Sequence, residues 1–547
     1  MPTHSRLTVP ATVEQLLALA SLFWALTANR LFLVGALQNR SASETATWVF
    51  ALALLAILAT LHYALFALFA TRWTIKPLLA VLIVATAFAT YFMQAYGVYL
   101  DPSMLRNMMH TDMAETRELL SWSLLPHLLL YAALPLGLLW RVRIVPRPWL
   151  RGTLIRVGTT VLALVLGVGT LLAIFQPFSS LMRNHRDLRY LITPANYVWS
   201  AGVVVAEQTR GAAKPRQAIG FDAKPGPLMA ARSKPLVVIL VVGETARAAN
   251  WGLNGYARQT TPELAKLPVI NFPNVSSCGT NTEASLPCMF APVGRRHYDE
   301  ARIRGSESLL HVLARAGVAV HWRDNQSGCK GVCEGLPQDE VISLHPPGLC
   351  TDGHCLDEGL LQGLVHRLAT AHGTQLLVLH MLGNHGPAYF RRYPPAFARF
   401  QPACQTDDLR LCGQAEIVNA YDNALLYTDH VLASVIAKLA AASGSVDSAL
   451  IYVSDHGESL GESNLFLHGM PYAIAPNVQT HVPMIMWLSA GLPQDIGLNA
   501  ACLQRRAEGK ASHDNLFHTL MGLLDVKSAL YEATLDLTAG CRTVPAP

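Results

Sequence analysis

Long apolar stretches crowd the first third of the chain and then give way to short ones. Five of them reach the ~20 residues that a helix needs to cross a bilayer: 14–37, 48–70, 77–99, 124–140 and 154–175. The first begins too far into the chain, and is too long, for a plain cleaved signal peptide. It also carries Asn29 and Arg30, costly in lipid, which either face a bundle interior or mark an early helix end.

After residue 178 the pattern changes. Residues 179–232 form a connector, with an amphipathic stretch at 197–207 suited to an interfacial or a packing helix and then a Gly-, Pro-, Ala- and Lys-rich linker. From residue 233 onward short apolar runs at 236–242, 318–323, 376–380, 448–454 and 484–488 alternate with helical patterns at 306–316, 358–371, 414–442 and 514–524. Runs that are apolar on both faces read as buried strands of a parallel sheet, and their alternation with helices reads as an α/β domain with a mostly parallel sheet. The expected organisation is therefore a membrane domain of five transmembrane helices (1–178), a connector (179–232) and an α/β domain (233–547).

Charge orients this arrangement. Arg72 and Lys76 lie between spans two and three, and Arg141, Arg143, Arg147 and Arg151 between spans four and five. The positive-inside bias makes both loops, and the N-terminus, cytoplasmic. Five spans then export the rest. The net charge of +5 over 547 residues, without a recognition motif, makes no case for a nucleic-acid partner. All ten cysteines lie beyond residue 277, in neighbouring pairs: Cys278/Cys288, Cys329/Cys333, Cys350/Cys355, Cys404/Cys412 and Cys502/Cys541. An even number confined to an exported portion reads as a disulfide framework. A zinc–thiolate site at Cys329/Cys333 and Cys350/Cys355 is the competing reading, and ten cysteines allow many other pairings.

Two apolar runs end in ligand-type residues. Lys234-Pro-Leu-Val-Val-Ile-Leu-Val-Val-Gly-Glu-Thr stops at Glu244, and Ala449-Leu-Ile-Tyr-Val-Ser-Asp-His-Gly stops at Asp455-His456. Sites in open α/β sheets form beyond the carboxyl ends of strands, and carboxylate with imidazole suits zinc, whose catalytic sites keep one position open. Alone, either motif could be an ordinary helix-start acid or loop pair. Cys278-Gly-Thr-Asn-Thr-Glu-Ala-Ser-Leu-Pro-Cys288 runs small polar residues into a helix start, where backbone N–H groups favour phosphate. Thr280 and Thr282 there are either helix caps or candidate nucleophiles, the latter only with a metal or base to activate the hydroxyl. His385 and His468, each beside a glycine after an apolar run, could join them.

Together these motifs resemble the membrane-anchored phosphoethanolamine transferases that modify lipid A, relatives of the plasmid-borne colistin-resistance enzymes in the alkaline-phosphatase/sulfatase superfamily. The resemblance rests on Val242-Gly-Glu-Thr-Ala-Arg247, Asn254-Gly-Tyr256, Cys278-Gly-Thr-Asn-Thr282, Pro287-Cys-Met-Phe290, Trp322-Arg-Asp-Asn325, Gly383-Asn-His-Gly-Pro387, Asn419-Ala-Tyr-Asp-Asn423, Asp455-His-Gly-Glu-Ser-Leu-Gly-Glu462 and Leu467-His-Gly-Met-Pro471. It implies Thr282 as nucleophile and Glu244, Thr282, Asp455 and His456 as zinc ligands. It also implies His385 and His468 as donor-binding and second-zinc residues, and Asn325, Gln326 and Lys330 as a substrate-contacting loop. Where Gln326 stands the family pattern carries Asn, and where Asn281 and Glu283 flank the nucleophile it often carries smaller residues. Asn107, Thr111 and Glu115, spaced to share a helix face, match residues that contact the lipid substrate; as residues alone they read as a solvated face. The implied setting is a monomer in the bacterial inner membrane with its catalytic domain in the periplasm. It would transfer phosphoethanolamine from phosphatidylethanolamine to a lipid A phosphate and so confer polymyxin resistance.

Two rivals remain at this level. A phosphoglycerol transferase or sulfatase-like hydrolase would share the fold, although sulfatases need a C/S-x-P-x-R segment that Cys288-Met-Phe-Ala does not provide. A sensor that only binds zinc or lipid would need no hydroxyl beside the metal.

Overall fold

The computed structural model describes residues 8–38, 40–111, 113–211, 216–351 and 353–543. The chain forms two compact units. One comprises residues up to Leu105 together with Ser121–Glu207, and the other comprises Arg106–Leu120 together with everything from Gln208 on.

In the first unit, helices Thr45–Ala67, Ile75–Tyr96, Leu124–Arg141 and Trp149–Ala173 are each long and apolar enough to cross a membrane. The fifth span is a bent pair, Val13–Thr27 and Arg30–Leu37, with an angle of 52° between its halves. Asn29 explains the break. It is fully buried, its amide donates to the carbonyls of Trp24 (2.9 Å) and Thr193 (2.7 Å), and its side-chain oxygen accepts from the Thr193 N–H (3.0 Å). A buried amide with all these bonds made carries little of the usual cost, so the residue that looked expensive in lipid is an internal joint. Trp149–Ala173 turns Leu154, Val157, Val161, Leu164, Val168 and Leu172 outward, as a helix does in an apolar solvent. A fifth long apolar helix, Gln414–Ala441, passes the same test of length and composition but belongs to the second unit, where its Asp422, Asn423 and Asp429 are buried.

The second unit is built on an eight-stranded sheet. Its strands, in chain order, are β1 Leu236–Gly243, β2 Ile270–Ser276, β3 Ala319–Asp324, β4 Gln338–Glu340, β5 Thr374–His380, β6 Asp447–Ser454, β7 His481–Leu488 and β8 Ala511–Ser512. They lie in the order β8-β2-β7-β6-β1-β5-β3-β4. Only β7 runs antiparallel to its neighbours β6 and β2; the other pairings are parallel. Every residue of β1, β5 and β6 is buried, which is why their centres are continuous apolar runs rather than alternating, with polar residues only towards the strand ends in β5 and β6.

Register then places the site. β1 pairs with β6 from Leu236↔Asp447 to Gly243↔Ser454 and with β5 from Leu236↔Thr374 to Val242↔His380. The ladder continues one step beyond, with Asp455 N–H donating to Gly243 O (2.9 Å) and Met381 N–H to Val242 O (3.0 Å). Residues 244, 455 and those after 380 therefore emerge side by side. All five cysteine pairs read from spacing are disulfides, and among the described residues no cysteine is free.

Candidate metal centre and nucleophile

Glu244 leaves β1 into a backbone that is itself unusual. Thr245 sits at φ 54°, a conformation that strains a β-branched residue. Surrounding bonds hold it there: its N–H donates to Asp455 Oδ1 (3.3 Å) and its carbonyl accepts from the Tyr421 hydroxyl (2.7 Å). On the other side Asn384 N–H donates to Glu244 O (3.0 Å). Gly383, at φ 54°, comes so close that a Cβ would lie 2.7 Å from that carbonyl oxygen. A glycine is the residue that fits this approach.

His456 faces the carbonyl of Gly457 with Nδ1 (2.9 Å), which assigns the proton to Nδ1 and leaves Nε2 as the ligand-type nitrogen. That Nε2 lies 3.3 Å from Glu244 Oε1 and 3.4 Å from Asp455 Oδ2. Thr282 is the first residue of helix Thr282–Met289, and Asn281 is its N-cap, accepting from Ala284 N–H (2.9 Å). So neither threonine of the motif is the cap. Thr280 instead donates to Met470 O (2.6 Å), while the Thr282 hydroxyl is 3.0 and 3.2 Å from the two Glu244 oxygens and 3.3 Å from His456 Nε2. The Cys278–Cys288 disulfide brackets this turn, and Ser285 Oγ donates to Asp455 O (2.5 Å), tying the helix to the neighbouring strand end.

Two overlapping groups can each hold a metal ion. The ligand-type atoms of Glu244, Asp455 and His456 lie within 4.8 Å of one another, and so do those of Glu244, His385 and His468. Glu244, Asp455 and His456 are fully buried. Burial opposes charge on Glu244, but the hydrogen bond and charge of His456, with His385 and His468 beyond, hold its carboxyl well below the usual carboxylate range. Burial and the Glu244 charge push Asp455 up to about 6. His456 rises to about 10 because Asp455 and Glu244 outweigh its burial. Burial and the neighbouring imidazoles push His468 well below the usual histidine range. Asp455 Oδ2 and His468 Nδ1 are buried without a hydrogen-bond partner. Orphaned polar atoms of this kind call for an explanation, and a cation bound by the cluster supplies one.

Beside the cluster is a cavity of ≈ 330 Å³ whose lining includes His110, Asn325, Gln326, Leu382, His385 and Arg392. It brings His385 together with two residues of the expected substrate loop. Lys330 is not among its lining residues; its ammonium donates to Ser327 O (2.9 Å) and Oγ (2.6 Å). Asn325 Nδ2 donates to Cys355 O (2.9 Å) and Asp357 Oδ1 (2.8 Å), and Gln326 Oε1 accepts from the Ser327 hydroxyl (2.7 Å). Asn107 lies on helix Pro102–His110 and Thr111 just past its end, donating to Asn107 O (2.9 Å). Glu115 falls on the next helix, Met113–Leu119, and its side chain lies outside the described residues. The single helical face expected for the three is therefore divided between two helices.

Sequence reasoning passed over three supporting residues. The buried Asp357 accepts from the N–H groups of Leu382 and Gly383 (2.9 Å each), fixing the approach to His385. His513 Nδ1 accepts from Cys278 N–H (2.9 Å) and Nε2 faces Ser454 O (2.9 Å), joining the turn before Thr282 to β6. Arg392 Nε donates to His385 O (2.6 Å). None carries a motif of its own; each is legible only once the loops it joins are in place.

Comparison with known proteins places this geometry. A family model described as sulfatase matches residues 237–526, and one described as phosphoethanolamine transferase EptA/EptB matches residues 58–209. Phosphoethanolamine transferase EptA of Salmonella typhimurium is 41% identical over 472 residues, covering 86% of each chain. The chain belongs to the phosphoethanolamine transferase family. Phosphatidylethanolamine transferase Mcr-1 of Escherichia coli is 38% identical over 466 residues, 83% of this chain and 84% of that protein. The integral membrane lipooligosaccharide phosphoethanolamine transferase A (EptA) of Neisseria meningitidis shares the fold with a TM-score of 0.92 at 36% identity, over 97% of this chain and 99% of that one. This phosphoethanolamine transferase is a multi-pass membrane protein with a sulfatase-like catalytic domain in the periplasm.

Proposed function

We propose that this transferase moves phosphoethanolamine from phosphatidylethanolamine to a lipid A phosphate through a covalent phosphothreonine at Thr282, that it works as a monomer, and that it thereby confers resistance to polymyxin and other cationic peptides. The observation that carries the reading is the position of the Thr282 hydroxyl, at a helix start and within 3.3 Å of both Glu244 and His456. A module that merely binds a ligand has no use for that hydroxyl.

Zinc is the proposed ion, held by Glu244, Asp455, His456 and Thr282. When bound it would act as a Lewis acid toward oxygens that gain negative charge. The protein's own residues account for the rest. Glu244 accepts the hydrogen bond of Oγ1 and keeps the hydroxyl turned into the site. In the first displacement a Thr282 Oγ–P bond forms and the bond from phosphorus to the glycerol oxygen breaks, releasing diacylglycerol with the threonine proton. In the second a lipid A phosphate oxygen attacks the same phosphorus and Thr282 recovers its proton. With Asn281 capping Ala284 N–H, the backbone N–H groups of Thr282 and Glu283 at the helix start would face the phosphoryl oxygens. His385 and His468 bind the donor or a second zinc, and Asn107, Thr111, Glu115, Asn325, Gln326 and Lys330 contact substrate.

Mass spectrometry of lipid A from cells with and without the protein tests this function. The expected result is a phosphoethanolamine added to lipid A only where the protein is present. Unmodified lipid A together with a phosphoglycerol-bearing or hydrolysed envelope glycolipid would replace the proposal.

A further inference from the structure

Residues Arg106–Leu120 precede the fourth span in sequence, yet they belong to the compact catalytic unit. Two buried carboxylates fasten them there.

The first is Glu283, the residue after the proposed nucleophile. Its side chain is wholly buried, with Arg304 at 2.8 Å from one oxygen and His110 Nδ1 at 2.9 Å from the other. Arg304 also donates to the Glu283 carbonyl (2.6 Å) and pairs with Glu300 (3.0 Å), and Glu300 in turn pairs with Arg106. Arg106 and His110 are one turn apart on helix Pro102–His110, so the five side chains close a ring. It runs from that helix through the nucleophile helix to helix Glu300–Gly305 and back. The second carboxylate is Glu118. It forms a two-pronged pair with Arg392, both side chains 1% exposed, and His354 lies 3.4 Å away. Arg392 then holds the carbonyl of His385.

A charge buried this deeply is costly unless it is paired; Arg392 meets Glu118 with two hydrogen bonds, while Arg304 meets Glu283 Oε1 as an ion pair without an aligned hydrogen bond. Here the two fixed partners, His110 and Arg392, both line the cavity beside the metal cluster. Between the two anchors lie Asn107 and Thr111.

We infer that Glu283 and Glu118 are positioning residues that clamp the 106–120 segment against the catalytic domain and so set the shape of the cavity that receives the phospholipid headgroup. The inference rests on the proposed donor and nucleophile. Neither carboxylate touches the reacting atoms; each acts through His110 or Arg392. Loosening an anchor misplaces the donor without disarming Thr282, so it weakens binding before it slows chemistry.

The experiment uses the full chain in detergent micelles with phosphatidylethanolamine at varied surface concentration. Glu283→Gln and Glu118→Gln keep side-chain shape and remove the charge. Each is expected to raise KM for the donor about tenfold with kcat within about twofold, at unchanged metal content. Glu300→Gln, at the ring carboxylate that is more exposed than Glu283, should move KM the same way by less, and serves if Glu283→Gln does not fold. A loss of kcat with unchanged KM in both anchor variants would overturn the inference, because that is how a merely structural role reduces the active fraction. Unchanged KM and kcat would overturn it too. Incubation of the wild type with donor alone separates this result from the underlying reading. A phosphoethanolamine mass on the Thr282 peptide with no KM shift in the variants removes only the clamp, and no mass on that peptide removes the nucleophile.

Discussion

A threonine hydroxyl is a weak nucleophile until its surroundings activate it, and Thr282, the proposed nucleophile, has Glu244 and His456 within 3.3 Å. Thr282→Ala is expected to abolish transfer while leaving the fold intact, since one buried hydroxyl is lost and the backbone of the turn is held by Asn281 and the Cys278–Cys288 disulfide. Circular dichroism and a lipid A transfer assay check both halves. Thr280→Ala should retain measurable turnover, because the Thr280 hydroxyl is spent on Met470 O rather than aimed at the cluster. Finding the phosphoethanolamine mass on Thr280 would move the nucleophile. The metal is tested by its ligands. Asp455→Ala and His456→Ala each remove one of three buried ligand-type groups, and elemental analysis of the purified protein should show zinc at background with transfer lost. Full zinc and full activity in both would place the site elsewhere.

At the scale of elements, the loop after β5 has little room for change at Gly383. Gly383→Ala would force a methyl to within 2.7 Å of Glu244 O at a positive φ, a strain of about 1–3 kcal/mol. Relief would displace His385 or Glu244. A ~1 Å shift of a positioned group costs ~10²-fold in rate, so activity should fall further than the melting temperature suggests. An assay beside a thermal melt distinguishes the two effects. How far such elements were readable beforehand depends on burial. β1, β5 and β6 announce themselves because both faces are buried and every position can be apolar. β2 does not: Asn271, Pro273 and Asn274 interrupt it, and its pairing with β7 shifts register beside Pro273. β4 is a polar edge strand, Gln338-Asp-Glu340, with no pattern to betray it. The run at 358–371 reads as one helix, but Gly363 at φ 72° divides it into a short 3-10 turn, Asp357–Leu361, and helix Leu364–Ala369. Glu244, His385, Asp455 and His456 were legible because each follows a readable strand, whereas His468 follows only the two-residue strand Phe466–Leu467. Asp357, Arg392 and His513 were not, because their partners are remote in sequence.

For the whole molecule, the cysteines tie redox state to location. Thiol titration of the denatured, unreduced protein should find none of the ten cysteines free, and ten reactive thiols would contradict export of the catalytic domain. Removing Cys278 and Cys288 together should cost about 2–5 kcal/mol and loosen the turn that presents Thr282. The order of strands in the sheet has a further consequence, for biogenesis. β1 is made first, yet it stands in the middle, between β5 and β6. As the exported chain emerges, Glu244 waits for its neighbours until Asp455 and His456 follow, and β6 in turn needs β7 from further on. Four of the five disulfides close loops of 4 to 10 residues, so they can form locally while translation continues. The ion-binding cluster cannot. Its carboxylates and imidazoles come from distant parts of the chain and meet only near the end of export. On the proposed zinc reading the protein would therefore take its ion from the periplasmic supply once these segments have met, and scarcity there is expected to leave a folded, oxidised and inactive enzyme.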